Sequence, residues 1–298
     1  MSAAEAGSSR VGAVILHYYA ESELQTTLSA LFAQHTLPHQ VVVVDNGSRS
    51  DALAAVLAAW PSVGLVTMSS NSGYAAGMNA GVAALDADHD AILLLTQDCR
   101  LEPACLAQLV DALADARVGM VGPTLQRRST GSVWSIGGTL SQLTWWPGHI
   151  REPSPNEPAW LDGAALLIRR SVFDNVGPID EGYFMYAEDL ELGARVRSSG
   201  RTLRCVPEAH AVQEPGELGI YASTRNQLRF VRRNGPPWRA ALALLRHCFY
   251  LVVDIVCGFS ARRRARIQPR AIAIRHALTD ELSVSLLLGD RLVTSSDM

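Results

Sequence analysis

The chain has 298 residues, 48% hydrophobic and 18% charged, so it can bury a sizeable core and lacks the composition of a disordered protein. Its formal net charge of -3 creates no overall positive field, and we therefore expect no nucleic-acid partner. The five cysteines are widely spaced without a C-x-x-C pair, which argues against a disulfide framework or a zinc finger and favours a reducing cytosol.

The chain starts with MSAAEAGSSR, which lacks the basic start and the apolar stretch of a secretory signal. We expect residues 1–10 to form a disordered tail and the protein to be cytoplasmic. Composition changes again at Pro236-Pro237. We therefore expect a main domain at residues 11–235 and a C-terminal, arginine-rich helical extension at residues 236–298.

Strands and helices alternate over the first 116 residues. Apolar runs predict strands at residues 11–18, 41–44, 64–68 and 91–95. Helical spacing of apolar residues follows at residues 24–32, 51–60, 74–85 and 103–116. This alternation predicts an α/β fold with a doubly wound, mostly parallel sheet. Ligands bind such sheets at the carboxyl ends of the strands, where Asp45 and Asp98 fall.

The regular pattern is lost from about residue 126 to residue 158, a stretch that contains Trp134, Trp145 and Trp146. We interpret it as a candidate substrate loop, in which the tryptophans either stack on the substrate or pack between lobes. A strand at 164–168, a helix at 186–199 and a strand at 202–206 are predicted beyond it.

The extension combines an apolar stretch at residues 240–259 with a series of arginines from Arg262 to Arg275. Charges within the apolar stretch argue against a membrane-spanning helix, which needs about 20 mostly apolar residues. Two interpretations stay open. The segment is either an amphipathic helix on an anionic membrane surface, or a helical pair on the sheet domain with a solvated arginine face.

Several polar residues at predicted strand and helix ends have a structural and a functional interpretation. The segment from Asp45 to Ser48 is typical of a turn and helix cap, and Asn71-Ser72-Gly73 is typical of another cap. Carboxylates at strand ends also accept from a nucleobase N–H or a ribose hydroxyl, and glycine permits close approach of the backbone to phosphate. Glu188-Asp189, after an apolar stretch, is a candidate general base.

Five motifs follow one another between about residue 11 and residue 233. They are VVVVDNGSRSD, SSNSGYAAGMNAG, LLLTQDCRLEP, the segment from WLDG to RSSG, and YASTRNQLRF. Each is weak evidence alone, but together, in this order and in these predicted contexts, they resemble the family-two glycosyltransferases with the GT-A fold. The rhamnosyltransferase-like branch is the most similar.

The resemblance implies an inverting, hexosyltransferase-type enzyme that moves a sugar from a nucleotide diphosphate donor to a hydroxyl acceptor. Asp189, next to Glu188, is then the catalytic base, and Arg225 offsets the charge of the departing diphosphate. The residues that the resemblance assigns to donor binding are Tyr18, Asp45, Asn71, Gly73, Asn79, Asp98, Asp162 and Arg225.

Two positions depart from the family pattern, in which a second acid often precedes Asp98 and a histidine follows the last predicted strand. Thr96 and Gln213 stand at these positions. Mg2+ or Mn2+ is the expected cofactor, with Asp98 as its ligand, because Mg2+ binds through one or two carboxylates plus substrate phosphates. His210 and Glu214 are alternative ligands nearby.

For the donor we expect dTDP-L-rhamnose or another dTDP-deoxysugar, with UDP-sugars open, and for the acceptor a hydroxyl group, lipid-linked or not. A lipid-linked acceptor would place the protein at the inner face of the membrane, in contact through the arginine-rich tail. The alternative is a non-catalytic nucleotide-sugar-binding or scaffold protein with a degenerate metal site. A Rossmann-type oxidoreductase is disfavoured, because Tyr18-Tyr19-Ala20 follows the first strand instead of G-x-G-x-x-G.

Overall fold

The computed structural model describes residues 9–48, 50–152, 157–216, 218–258 and 260–288. Most of the expected N-terminal tail, residues 1–8, therefore lies outside the described residues, as do residues 289–298 of the extension. Arg10 is already held to the sheet domain, since its backbone N–H donates to the Asp90 carboxylate at 2.8 Å.

The described chain contains strands and helices in alternation, followed by helices alone. The strands are β1 Val11–His17, β2 Gln40–Asp45, β3 Gly64–Thr67, β4 Ala91–Thr96, β5 Arg100–Leu101, β6 Val118–Arg127, β7 Val133–Ser135, β8 Gly138–Leu140, β9 Pro147–His149, β10 Ala165–Arg169 and β11 Thr202–Gln213. The helices are α1 Glu21–Phe32, α2 Asp51–Leu57, α3 Gly73–Ala83, α4 Cys105–Leu113, α5 Arg170–Val176, α6 Glu188–Ser198, α7 Ile220–Asn234, α8 Pro237–Val256, α9 Ala261–Thr279 and α10 Val284–Leu288.

The main sheet has the strand order β3-β2-β1-β4-β10-β6-β11-β5, with β7 beside β6. Neighbours among β1 to β4 are parallel, and β11 is parallel to β6, which confirms the predicted mostly parallel α/β sheet. β10 runs antiparallel to both β4 and β6. Because of this reversal, the residues just before β10 lie at the carboxyl end of β4, where ligands of such sheets bind.

Apolar side chains cover both faces of the sheet. One layer packs the strands against α1 and α4, through residues such as Leu28 and Leu109. The other packs them against α3, α5 and α6, through Met78, Phe173 and Val196. Strands buried on both faces are expected to be continuous apolar runs, as β1 and β4 are. The sheet is therefore rigid, and the polar residues at the carboxyl ends of its parallel strands lie side by side.

The C-terminal helices pack on the sheet domain, as the second interpretation of the extension proposed. Trp160, Tyr183 and Leu190 share one buried cluster with α7, α8 and α9, through Leu228, Phe230, Ala243 and Ala277. Among the residues that the structure describes, no helix is both long and apolar enough to cross a membrane.

The tryptophan-rich stretch contains β7 and the hairpin formed by β8 and β9, and its turn packs on the C-terminal helices. Trp145 lies 5.8 Å from the Phe230 ring, measured between centroids. The Arg246 guanidinium lies 4.1 Å above the Trp146 ring. These contacts match the packing role of the tryptophans, one of the two alternatives that the sequence left open.

Candidate active site

Asp45 ends β2 and is almost completely buried, at 2% exposure. Its Oδ1 accepts hydrogen bonds from the Ser48 backbone N–H, at 2.9 Å, and from the Ser48 hydroxyl. The segment is therefore the turn that the sequence suggested, whereas the N-terminal cap of α2 is Ser50, whose side chain accepts from the Ala52 N–H. The turn also fixes the carboxylate at the edge of the sheet, in register with His17 at the end of β1.

Asn46 links this turn to the loop before α3. Its amide donates to Asn71 Oδ1 at 3.0 Å and to the Gly73 carbonyl at 3.1 Å, and its oxygen accepts from the Ser72 N–H at 3.0 Å. Asn71 Oδ1 also accepts from the Gly73 N–H. The predicted donor loop is therefore a closed hydrogen-bonded network, in which Asn46 is a central residue that the sequence analysis did not single out.

Gly73 has a positive φ of 89° and lies against Phe184. A Cβ atom at this position would come within 2.4 Å of the Phe184 carbonyl oxygen, so only glycine fits without displacement. The same carbonyl accepts from the Tyr74 N–H at 2.6 Å. Here the glycine allows the segment before α6 to approach the start of α3.

Asp98, Thr96 and Gln213 lie together at the end of β4. The Gln213 amide donates to Asp98 Oδ1 at 3.1 Å and to the Thr96 hydroxyl oxygen at 3.2 Å. Glu214, considered above as a substitute ligand, instead binds Arg127 at 3.2 Å and the Ser129 N–H at 2.9 Å. Thr96 and Gln213, the two residues that depart from the family pattern, therefore contact each other, and Gln213 also contacts Asp98.

Tyr18 is held beside this group by Gln97. The Gln97 side chain accepts from the Tyr18 N–H at 2.7 Å and donates to the Tyr18 carbonyl at 3.0 Å. The ends of β1 and β4 are joined in this way, which places Tyr18 and Asp98 on neighbouring strand ends.

Asp162 and Gly163 reach the site because they precede the antiparallel β10. Gly163 is fixed from both sides, since its N–H donates to Asp189 Oδ2 at 3.0 Å and its carbonyl accepts from the Tyr74 hydroxyl at 2.7 Å. Asp162 Oδ1 accepts from the Ala164 N–H at 3.1 Å. The structure thus brings Asp162 and Asp189 together across Gly163.

Asp189 lies in the first turn of α6 and is half-buried. Besides Gly163, it accepts from the Leu190 N–H at 2.7 Å. Burial raises the pKa of Asp189 to about 6, and the backbone N–H donors oppose the shift because they stabilise the carboxylate. A carboxylate in this state is ionised at neutral pH and basic enough to accept a proton from a hydroxyl group during reaction.

The pKa values of Glu188 and Asp162 are raised further than that of Asp189. Burial, and then the charge of Asp189, raise the pKa of Glu188 well above its usual range, and the same causes raise the pKa of Asp162. Glu188 Oε2 has no hydrogen-bond partner among the described residues. The environments therefore separate the adjacent acids, because they favour the neutral form of Glu188 more strongly than that of Asp189.

The turn before Asp189 has strained backbone that Asn226 stabilises. Phe184, Tyr186 and Ala187 all have positive φ, between 63° and 73°. The Asn226 amide, from α7, donates to the Met185 carbonyl at 2.9 Å and to the Tyr186 carbonyl at 2.8 Å. Asn226 was not among the predicted site residues, although it lies within the YASTRNQLRF motif.

Arg225 does not face the carboxylates, which corrects the expectation that it offsets diphosphate charge. It is 1% exposed, and its guanidinium donates to the Glu281 carbonyl at 3.0 Å and to the Gly182 carbonyl. It also donates to Asn226 Oδ1 at 2.9 Å. Its charge is therefore enclosed by backbone oxygens, and the residue fastens the C-terminal helices to the turn before Asp189.

Asn79 has a similar anchoring position. Its amide donates to the Ile179 carbonyl at 2.9 Å and to Glu181 at 3.0 Å, and its oxygen accepts from the Ile179 N–H at 2.9 Å. Both ends of the amide hold the segment that leads to α6. Its assignment to donor binding stays a prediction.

Comparison with known proteins identifies the family of the chain. The family model of glycosyl transferase family 2 matches residues 13–177, more than half of the chain. N-acetylglucosaminyl-diphospho-decaprenol L-rhamnosyltransferase of Mycobacterium tuberculosis is 29% identical over 301 residues, covering 88% of this chain and 98% of the relative. dTDP-rhamnosyl transferase RfbF of Shigella flexneri is 23% identical over 248 residues, covering 77% of this chain and 82% of the relative.

The fold is similar to that of a solved glycosyltransferase. Mannosyltransferase PcManGT from Pyrobaculum calidifontis, solved in complex with GDP-Man and Mn2+, matches with a TM-score of 0.57 at 17% identity. The match covers 92% of this chain and 88% of that structure. The chain therefore belongs to glycosyl transferase family 2 and is a nucleotide-sugar glycosyltransferase with the GT-A fold.

Proposed function

We propose that this enzyme transfers L-rhamnose or another deoxysugar from a dTDP-linked donor to a hydroxyl group of a lipid-linked saccharide, with inversion at the anomeric carbon. The observation that carries the proposal is Asp189, an ionised carboxylate held by two backbone N–H groups at the edge where the strand ends meet. The names of the two rhamnosyltransferase relatives support the choice of sugar, and that of the mycobacterial relative supports a lipid-linked acceptor.

The reaction is a single displacement. The acceptor oxygen attacks the anomeric carbon on the face opposite the diphosphate, and the acceptor proton passes to Asp189. The bond between the anomeric carbon and the diphosphate oxygen breaks, and the nucleoside diphosphate leaves with the bonding electrons. Because attack and departure occur on opposite faces, the configuration inverts. Glu188 remains protonated and adds no second negative charge beside the base.

Asp45 is assigned to the nucleobase. Thymine and uracil both present an N–H donor between two carbonyl groups, and a carboxylate accepts such a donor well. The hydrogen bonds from Ser48 fix the carboxylate in advance, which lowers the entropic cost of binding. Asp45 accordingly suits the N–H of thymine and of uracil equally well, so discrimination between dTDP and UDP depends on the thymine methyl group and the ribose.

The group at the end of β4 fits Mg2+ or Mn2+ only in part. Asp98, Thr96 and Gln213 offer oxygen atoms, which suit these cations, but the Gln213 amide presents a donor to Asp98. Among the described residues, no group of three or more His, Cys, Asp or Glu forms a metal site. Asp98 would therefore hold the cation together with the donor phosphates, and rotation of the amide would bring the Gln213 oxygen to it. The cation would offset the charge of the leaving diphosphate.

Calorimetric titration with nucleotides tests donor binding directly. We expect dTDP to bind more tightly than UDP, and Mn2+ to increase the affinity by roughly tenfold, since one carboxylate anchors it weakly.

A Gln213→His variant, which supplies a stronger ligand, should bind Mn2+ more tightly in the presence of dTDP, measured by the loss of the free-ion signal in electron paramagnetic resonance. If neither nucleotide binds, the proposed donor is wrong. Nucleotide binding without transfer to any acceptor would favour the scaffold alternative.

Transfer activity should depend on pH through Asp189. The active form is the carboxylate, and burial raises its pKa to about 6. The ratio kcat/KM should therefore fall about tenfold for each pH unit below that value and level off above it. Initial rates between pH 4.5 and about pH 8 measure this profile, with thermal stability followed in parallel. A flat profile over this range in a folded protein would contradict the base assignment.

A further inference from the structure

An apolar stripe runs along the outer surface of α8. Its residues are 37% to 66% exposed and follow one another at intervals of three or four, so they lie on one face of the helix. We call this surface the α8 apolar face, and it consists of Trp238, Leu242, Leu245, Phe249, Val252 and Val256. Every exposed residue of α8 is uncharged.

The opposite side of α8 already holds the helix on the protein. His247 is buried and hydrogen-bonded to Gln227 of α7 at 2.9 Å, and Asp254 is paired with Arg270 of α9 at 2.9 Å. The α8 apolar face therefore contributes little to this packing. Large apolar surfaces left outside a folded domain mark sites of contact with another body.

Positive charge is concentrated in the two helices α8 and α9, the first of which carries this face. Residues 236–279 contain eight arginines and a single acidic residue, Asp254, which is paired inside the protein. Arg239 and Arg246 lie over tryptophan rings beside α8, and Arg263 is exposed at the start of α9. An apolar face on an arginine-rich pair of helices complements a surface that is apolar inside and anionic outside.

We propose that the α8 apolar face docks on an anionic lipid bilayer, with α8 parallel to the membrane plane. The helix is 20 residues long, hence about 30 Å, and its apolar side chains would enter the boundary between headgroups and acyl chains while arginines contact anionic headgroups. This docking would bring the enzyme to a lipid-linked acceptor, and only that purpose rests on the proposed function.

Two other occupants fit less well. A second copy docked on the same face would bring two arginine-rich segments together across a symmetric interface. Residues 289–298 contain only Leu292, Val293 and Met298 as large apolar residues, too few to cover six. The described chain approaches its end beside α7, where Leu287 packs with Tyr221.

Sedimentation with lipid vesicles tests the proposal without nucleotide or acceptor. The full-length protein should bind vesicles that contain phosphatidylglycerol more tightly than vesicles of phosphatidylcholine alone, and binding should weaken at about 1 M salt. The double variant Leu245→Glu/Phe249→Glu should bind at least about tenfold more weakly, because two apolar side chains are replaced by anionic ones. Leu65→Glu, at a residue 49% exposed on the edge strand β3, is the matched control and should bind like the wild type.

Calorimetry with dTDP on the same proteins separates the possible failures. Unchanged dTDP affinity in the double variant would show that lost vesicle binding is not lost folding. Equal sedimentation of wild type and double variant would overturn the docking proposal. So would a wild-type dimer that the double variant dissociates in ultracentrifugation, with no vesicle binding by either, because a second copy would then cover the face. Failure of dTDP binding together with the expected vesicle result would overturn only the proposed function.

Discussion

Replacing Asp189 with asparagine should lower kcat by about 100-fold to 10,000-fold, the range in which a general base contributes. Asparagine has nearly the same shape, and one oxygen still accepts from either Gly163 or Leu190, but the side chain no longer takes a proton. The donor is bound by other residues, so dTDP affinity should change little. Steady-state transfer rates, together with calorimetry on the same preparation, measure both quantities.

Glu188→Gln is the matched control for this prediction. Because burial and the charge of Asp189 raise the pKa of Glu188 and favour its neutral form, glutamine is its close match in charge and volume. Its loss of kcat should stay below about tenfold, since it removes no base. If the glutamine variant proves less active than the asparagine variant, the roles of the two acids are reversed.

Replacing Asn226 with alanine should produce the second large effect, on stability and activity together. The Asn226 amide holds the carbonyls of Met185 and Tyr186 in the strained turn that leads to Asp189. Leaving buried carbonyl groups without donors costs about 1 to 3 kcal/mol in the free energy of unfolding. We also expect at least about a tenfold lower kcat, because a small displacement of a catalytic group is costly. Denaturant unfolding and transfer assays measure the two effects.

Asn234→Ala and Asn226→Asp complete this experiment. Asn234 lies at the other end of α7, where its exposed side chain donates to the Phe230 carbonyl at 3.1 Å, so its loss should cost little stability or activity. Asn226→Asp keeps the shape and the acceptor for Arg225, but it points one carboxylate oxygen at the Met185 and Tyr186 carbonyl oxygens, and should also lower stability and activity. Wild-type activity in both Asn226 variants would show that the turn positions Asp189 without this amide.

The sheet determines where the residues of the site lie, and the sequence predicted only some of its strands and strand directions. Strands β1, β2 and β4 were predicted because they are buried on both faces and therefore continuously apolar. The position of Asp45 and Asp98 at the carboxyl ends of these strands was predicted by the same argument. Strand β6 was not predicted. The antiparallel direction of β10 was not predicted either, because apolar periodicity carries no information on strand direction.

The incorrect assignment of Arg225 has a physical cause. The resemblance implied an anion partner for Arg225, but backbone carbonyls also satisfy a guanidinium, and here they are supplied by residues far apart in sequence. The role of Asn226 was missed for a related reason, since positive φ at Phe184, Tyr186 and Ala187 is unusual for these residue types and no local pattern predicts it. Long-range contacts made by α7 decide both positions.

The central claim is that Asp189 serves one displacement at the anomeric carbon of a dTDP-deoxysugar. The most direct test is to incubate the full-length enzyme with dTDP-L-rhamnose and a lipid-linked N-acetylglucosamine acceptor, and to determine the linkage of the product by nuclear magnetic resonance. We predict a rhamnosyl product with the anomeric configuration opposite to that of the donor, formed at least about 100-fold more slowly by Asp189→Asn. A product with retained configuration, or equal rates for the two proteins, would contradict the account.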